Sequence, residues 1–171
     1  MNSQGDFQPA DQSLPVWEVV QKPGLFSLGK PVLRKGSTVL AIEGDGYRTA
    51  KCESTNWCAE IETSKSHHSL LTRFQIQNRS AQFYLLLGYD GTVRVSHPEL
   101  AVVNRTIGGV SIELTGIGAA QRRESWKDKD TSRNVTAFVE ILNTADEDSE
   151  QLLAWLCLAI GIMAYVPSSD G

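Results

Sequence analysis

From Val16 to Leu142 apolar and polar positions alternate in short blocks, and the alternation then gives way to a solid apolar run, Leu152 to Val166 (LLAWLCLAIGIMAYV). Alternation with a period of two marks strands with one face buried. Strand-length blocks occur at Val16–Val20, Leu25–Leu28, Pro31–Arg34, Ser37–Ile42, Tyr47–Glu53, Trp57–Thr63, Leu70–Gln77, Phe83–Gly88, Thr92–Val95, Leu100–Val103, Gly109–Leu114 and Val135–Leu142, with Gly, Pro, Ser and Asp between them. Asp90-Gly91 is the sharpest turn signal, because such a pair supplies the positive φ angles of a tight hairpin. The stretch Gln121 to Arg133 is too polar for a core and is expected to be an exposed loop or a short surface helix.

The terminal run predicts a helix over about 145–166. Ala, Leu and Met dominate it, Thr144 and Glu147 have the spacing of a capping box, Asp146 and Glu147 lie where the helix dipole favours negative charge, and Pro167 stops it. Apolar residues fall on every side, so the helix has to be hidden all round, by protein, by lipid or by a second subunit. It falls short of the ~20 residues of a membrane span and has no flanking Lys or Arg, which favours a central core helix over a tail anchor. Many short strands followed by one such helix predict an all-β fold with one helix: a closed antiparallel β-barrel wrapped around the buried C-terminal helix. Closure would remove sheet edges and give the helix apolar walls.

At 171 residues the chain suits one domain, read as a polar leader over 1–14 and a barrel domain over 15–171. A net charge of -4 argues against nucleic acid as a partner. The N-terminus has neither a basic nor an apolar segment of the secretory kind, so a cytoplasmic protein is expected, with peripheral contact to membrane as its route to lipid. Cys52, Cys58 and Cys157 are an odd count and are expected as free thiols.

The two ends of the chain resemble the tubby C-terminal superfamily, in particular its LURP-one-related and phospholipid-scramblase-like members. Val16-Trp-Glu-Val-Val20, followed by Gly24-Leu-Phe-Ser-Leu-Gly-Lys30 and Val32-Leu33, looks like the LURP-one-type string of an aromatic strand, "f-s-l-g-k" and a further strand. Asp146 to Val166 is similar to the acidic-then-apolar terminal segment of the scramblase-like members. The strands that usually precede the first motif are replaced by the polar leader, and no acidic calcium-binding cluster precedes the helix. The resemblance implies a barrel threaded by its helix and a non-enzymatic module binding phosphoinositide-type head groups.

Chemistry read from the residues is sparse. His67, His68 and His97 do not combine with Cys52 and Cys58 in a zinc-type spacing, and no nucleophile elbow or phosphate loop occurs, so no catalytic residue, metal or cofactor is expected. An anionic head group needs converging cations. Lys30, Arg34 and Lys35 form the first candidate cluster, and Arg122, Arg123, Lys127 and Lys129, beside Trp126 and diluted by Glu124, Asp128 and Asp130, form the second. The expected protein is a monomer meeting an anionic phospholipid surface. A protein-interaction or structural domain without a small ligand is the alternative, and a tail-anchored membrane protein the next.

Overall fold

A computed structural model describes residues 15–21, 30–43, 48–64, 68–88, 90–106, 109–123 and 134–163. Twelve strands and one helix make up these residues. In chain order the strands are β1 (Val16–Val20), β2 (Val32–Lys35), β3 (Thr38–Ala41), β4 (Thr49–Glu53), β5 (Trp57–Ser64), β6 (Ser69–Ile76), β7 (Arg79–Leu87), β8 (Val93–Val95), β9 (Ala101–Thr106), β10 (Gly109–Leu114), β11 (Gly118–Arg123) and β12 (Val135–Thr144), and helix α1 spans Glu147–Met163. They pair in a seven-stranded antiparallel sheet, β3-β2-β1-β12-β11-β10-β9, and a five-stranded one, β4-β5-β6-β7-β8.

The alternation in the sequence becomes the two faces of these sheets. In β5, Trp57, Ala59 and Ile61 are buried while Cys58, Glu60 and Glu62 are not, and β12 buries Val135, Ala137, Val139 and Ile141. Both inner faces meet α1, which packs against β2, β10, β11 and β12 of one sheet and β5 and β6 of the other. Leu152 to Ile160 are each at most 2 % exposed. Leu152 to Ile160 are therefore hidden by protein, and among the described residues no helix is long and apolar enough to cross a membrane. A fully buried Leu or Ile contributes about 1.5–3 kcal/mol relative to an exposed one, so this helix is the largest single contributor to the core.

The turns differ from the sequence reading in instructive ways. Asp90-Gly91 lies within a longer connection, closed by the Gly88 N–H donating to Thr92 O at 2.9 Å, and Gly91 has a positive φ, of 89°. Asp90 serves instead as an acceptor for the Thr92 N–H and hydroxyl, at 3.1 and 2.8 Å. Among the described residues, two-residue hairpins lie at Gly36-Ser37 and at Gln77-Asn78, where Gln77 takes a φ of 53°. Leu25–Leu28 and Trp126 lie outside the described residues.

The helix start also differs. Thr144 does not close a box with Glu147; its hydroxyl donates to Asp146 O, and Asp146 is the cap, its Oδ1 accepting the Ser149 N–H at 2.8 Å. Hydrogen bonding from Ser149 holds the Asp146 carboxyl below the usual carboxylate range. A carboxyl whose pKa is lowered on folding adds stability that is present above its unfolded pKa and is lost as pH falls through the folded one. Asp146→Ala is accordingly expected to cost about 1 kcal/mol at neutral pH. Urea unfolding of both proteins should show that gap shrinking in acid; a gap unchanged down to acid pH would remove the charged cap from the account.

Candidate binding surface

The first basic cluster is spread over two faces of one strand. Arg34 and Lys35 are neighbours on β2, and adjacent strand residues point to opposite sides. Arg34 lies on the outer side, where register sets it beside Glu18 of β1, and its Nη2 and Nε donate to Glu18 Oε1 at 2.8 and 3.3 Å. Lys35 turns toward the helix: its Nζ pairs with Glu150 Oε2 and stands 5.4 Å from the centre of the Trp17 ring. Lys30 is exposed at the approach to β2. Arg34 and Lys35 thus do not point at a common spot, and each already holds a carboxylate.

Glu150, to which Lys35 turns, was not singled out by the sequence reading beyond its place in an acidic lead-in. It is 7 % exposed, in the first turns of α1, and its Oε2 also accepts the Trp17 indole N–H at 2.9 Å. A buried carboxylate is tolerable only where charge and hydrogen bonds compensate it, and Lys35 and Trp17 do so here. The legible signal was spacing. Leu153, Ala154 and Cys157 follow Glu150 at the three-, four- and seven-residue intervals of one helix face, and all three are buried.

The second cluster is divided as well. Gln121, Arg122 and Arg123 do not begin an exposed loop; they end β11, which pairs with β10 and β12. Arg122 faces inward and is 9 % exposed. Its side chain lies along Gly161 of α1, where an added Cβ would come within 3.0 Å of Arg122 Cδ. Nearby, burial pushes the Cys157 thiol up to about 12 against the opposing pull of Arg122. Arg123 faces outward, bonded to Glu140 at 3.2 Å and 5.7 Å from the Phe138 ring centre. Burial pushes the Glu140 carboxyl up, but hydrogen bonds from Gln121 and Arg123 and the charge of Arg123 outweigh it and hold it below the usual range. Lys127 and Lys129 lie outside the described residues.

Register does bring Arg34 and Arg123 onto one outer row. Arg34 faces Glu18, Glu18 faces Phe138, and Phe138 faces Arg123 across β2, β1, β12 and β11. The row carries two guanidinium groups separated by a carboxylate and an aromatic ring.

A hollow of about 610 Å³ opens over β4 to β7 of the other sheet. One cross-strand row along it is Lys51, Glu60, Arg73 and Gln82, and the next is Glu53, Cys58, Gln75 and Ser80. Arg73 is clamped by Glu60 at 2.7 Å and Glu62 at 3.0 Å, which hold its guanidinium more firmly protonated than usual. The three cysteines are free, as the odd count suggested. Cys52 faces inward, and its thiol is pushed up to about 11 by burial and then by Glu43, while Cys58 is exposed in the hollow. Among the described residues, no three His, Cys, Asp or Glu side chains are grouped to hold a metal ion. Against this geometry, comparison of the chain with protein-family models, with curated proteins and with solved structures gives no match.

Proposed function

We propose that this chain is a non-enzymatic binding module of the barrel-and-helix kind its sequence resembles, acting at its outer surface on anionic, phosphoinositide-type lipid. The observation that supports it is the enclosure of α1. An interior filled by Leu152 to Ile160 is taken up by structure, so ligand chemistry has to lie on the outside or at the rims. Closure into one barrel is supported at both seams between the sheets. Glu43, just past β3, forms a bridge with Lys51 of β4, and β8 lies against β9.

Lipid contact would use Lys30 with Arg34, and the outer row reaching Arg123. Because Arg34 and Arg123 are held by Glu18 and Glu140, a lipid phosphate has to replace a carboxylate as their partner, and binding then depends on ionic strength. Co-sedimentation with phosphatidylcholine vesicles containing a phosphatidylinositol bisphosphate tests this. Binding is expected at low salt, to weaken as salt rises, and to fall at least about fivefold in Lys30→Glu and Arg34→Glu, in line with the ~1 kcal/mol per basic group near an anionic surface. No binding to these vesicles at low salt would overturn the lipid reading.

A second reading, as a protein-binding domain, is favoured by one outward patch. Tyr84 and Leu86 on β7 are each 44 % exposed, and Tyr84 lies opposite Leu71 of β6. A partner retained by the intact chain in high salt and lost in Tyr84→Ser would support that reading.

A further inference from the structure

The hollow over β4 to β7 plays no part in the lipid reading, and its chemistry differs from that of the basic rows. Its volume of about 610 Å³ falls within the roughly 300–1,000 Å³ of small-molecule sites, but the side chains aimed into it are polar, not apolar. An apolar ligand would strip water from them without replacing its hydrogen bonds. Charge sign decides the next step. Following register from the bridge at Glu43, the row runs Glu43, Lys51, Glu60, Arg73, so negative and positive groups alternate and their fields cancel along its length. Arg73 is already compensated by Glu60 and Glu62. With Glu53 in the next row, three carboxylates face Lys51 and Arg73, a balance that disfavours an anion such as a phosphoinositide and leaves too little charge of one sign to hold a polycation.

What remains is a dense set of hydrogen-bonding groups on a rigid floor. The clamp leaves Arg73 Nη1 as an oriented donor, Gln75 and Gln82 offer both donors and acceptors, and Glu53 and Ser80 add acceptors along the parallel row. We propose that this outer hollow of the five-stranded sheet is a binding site for a neutral polyhydroxylated ligand, of the carbohydrate class, held by the Lys51-Glu60-Arg73-Gln82 and Glu53-Cys58-Gln75-Ser80 rows. Hydroxyl groups on neighbouring carbons each donate and accept, and they match planar carboxylate, amide and guanidinium groups that present two atoms side by side. Phe74, the aromatic residue bordering the hollow, is buried at 7 % exposure, so affinity rests on hydrogen bonds and a Kd of about 1 mM is expected.

Cys58 makes the test direct. It is the exposed thiol of the three, and it stands inside the site, between Glu53 and Gln75 in register. Its alkylation by iodoacetamide is to be timed on the whole folded chain with maltohexaose, cellohexaose, mannohexaose and chitohexaose, each at about 10 mM, ten times a weak-site Kd near 1 mM. At least one sugar should slow the reaction about tenfold, the factor expected for a ligand at roughly ten times its Kd. Gln82→Ala should abolish that protection. Protection by none of the sugars overturns the proposal, as does equal protection by inositol trisphosphate, which would make the hollow an anion site. The outcome is independent of the vesicle assay, since Arg34 lies on the other sheet and Lys30 just before its strand β2.

Discussion

Trp155→Ala is expected to destabilise the protein by about 3–5 kcal/mol, the range for removing a large aromatic side chain from a packed core. Trp155 sits near the middle of α1 with no exposed surface, and its ring centre is 6.3 Å from that of Trp57 on β5 at an angle of 50°. It therefore joins the helix to the five-stranded sheet, and its loss leaves a void that strands fixed by backbone ladders cannot collapse to fill. Trp155→Phe separates packing from hydrogen bonding. The Trp155 indole N–H has no hydrogen-bond partner among the described residues, so phenylalanine sacrifices no bond there and should cost well under half as much. Urea unfolding followed by circular dichroism measures both. A Trp155→Ala midpoint within the error of the parent protein would mean that α1 is not enclosed as described.

How far this arrangement was legible follows from the distance over which each feature is determined. Strands such as β5 and β12 announce themselves locally, because a buried inner face forces apolar residues to every second position. The all-apolar helix did so too, since no surface stripe interrupts it. β11 stayed hidden because Gly118-Ala-Ala-Gln121 has weak strand propensity and Arg122 reads as a surface cation. Its place is enforced from outside. A Cβ at Gly118, where φ is 147°, would lie 2.2 Å from Asn143 O, so only glycine admits this close approach to β12. Likewise the cations were legible as residues but not as partners. Pairing Arg34 with Glu18 requires knowing that β1 and β2 are neighbours, and the rows of the hollow are assembled from four strands. The helix cap was missed by two residues for a simpler reason: Thr144 and Asp146 both suit the role, and Asp146 takes it because β12 continues to Thr144.

The longest-range of these pairings carries the second large effect. Glu150→Ala is expected to cost about 2–3 kcal/mol, somewhat below the roughly 3–5 kcal/mol for breaking a fully buried ion pair, because Lys35 is 37 % exposed and part of its charge is recovered by water. Alanine would leave the Trp17 N–H, on a residue with no exposed surface, without its acceptor, and would leave Lys35 over the indole with no counter-charge. Glu150→Gln keeps an oxygen for Trp17 and drops only the charge, so it should cost about 1 kcal/mol, whereas Trp17→Phe removes one buried hydrogen bond, worth about 1 kcal/mol, and leaves a void besides. Trp17 donates to an oxygen of Glu150, so the two substitutions remove one and the same bond and their effects should not add: a double-mutant cycle should return a coupling of about 1 kcal/mol. Since the Glu150 carboxylate and the Trp17 N–H it accepts are buried, the Glu150→Ala penalty should depend on salt less than the vesicle binding expected of Lys30 and Arg34. Unfolding free energies of Glu150→Ala and the parent that agree within about 0.5 kcal/mol, the scatter of ordinary surface substitutions, would show that α1 is held by apolar packing alone.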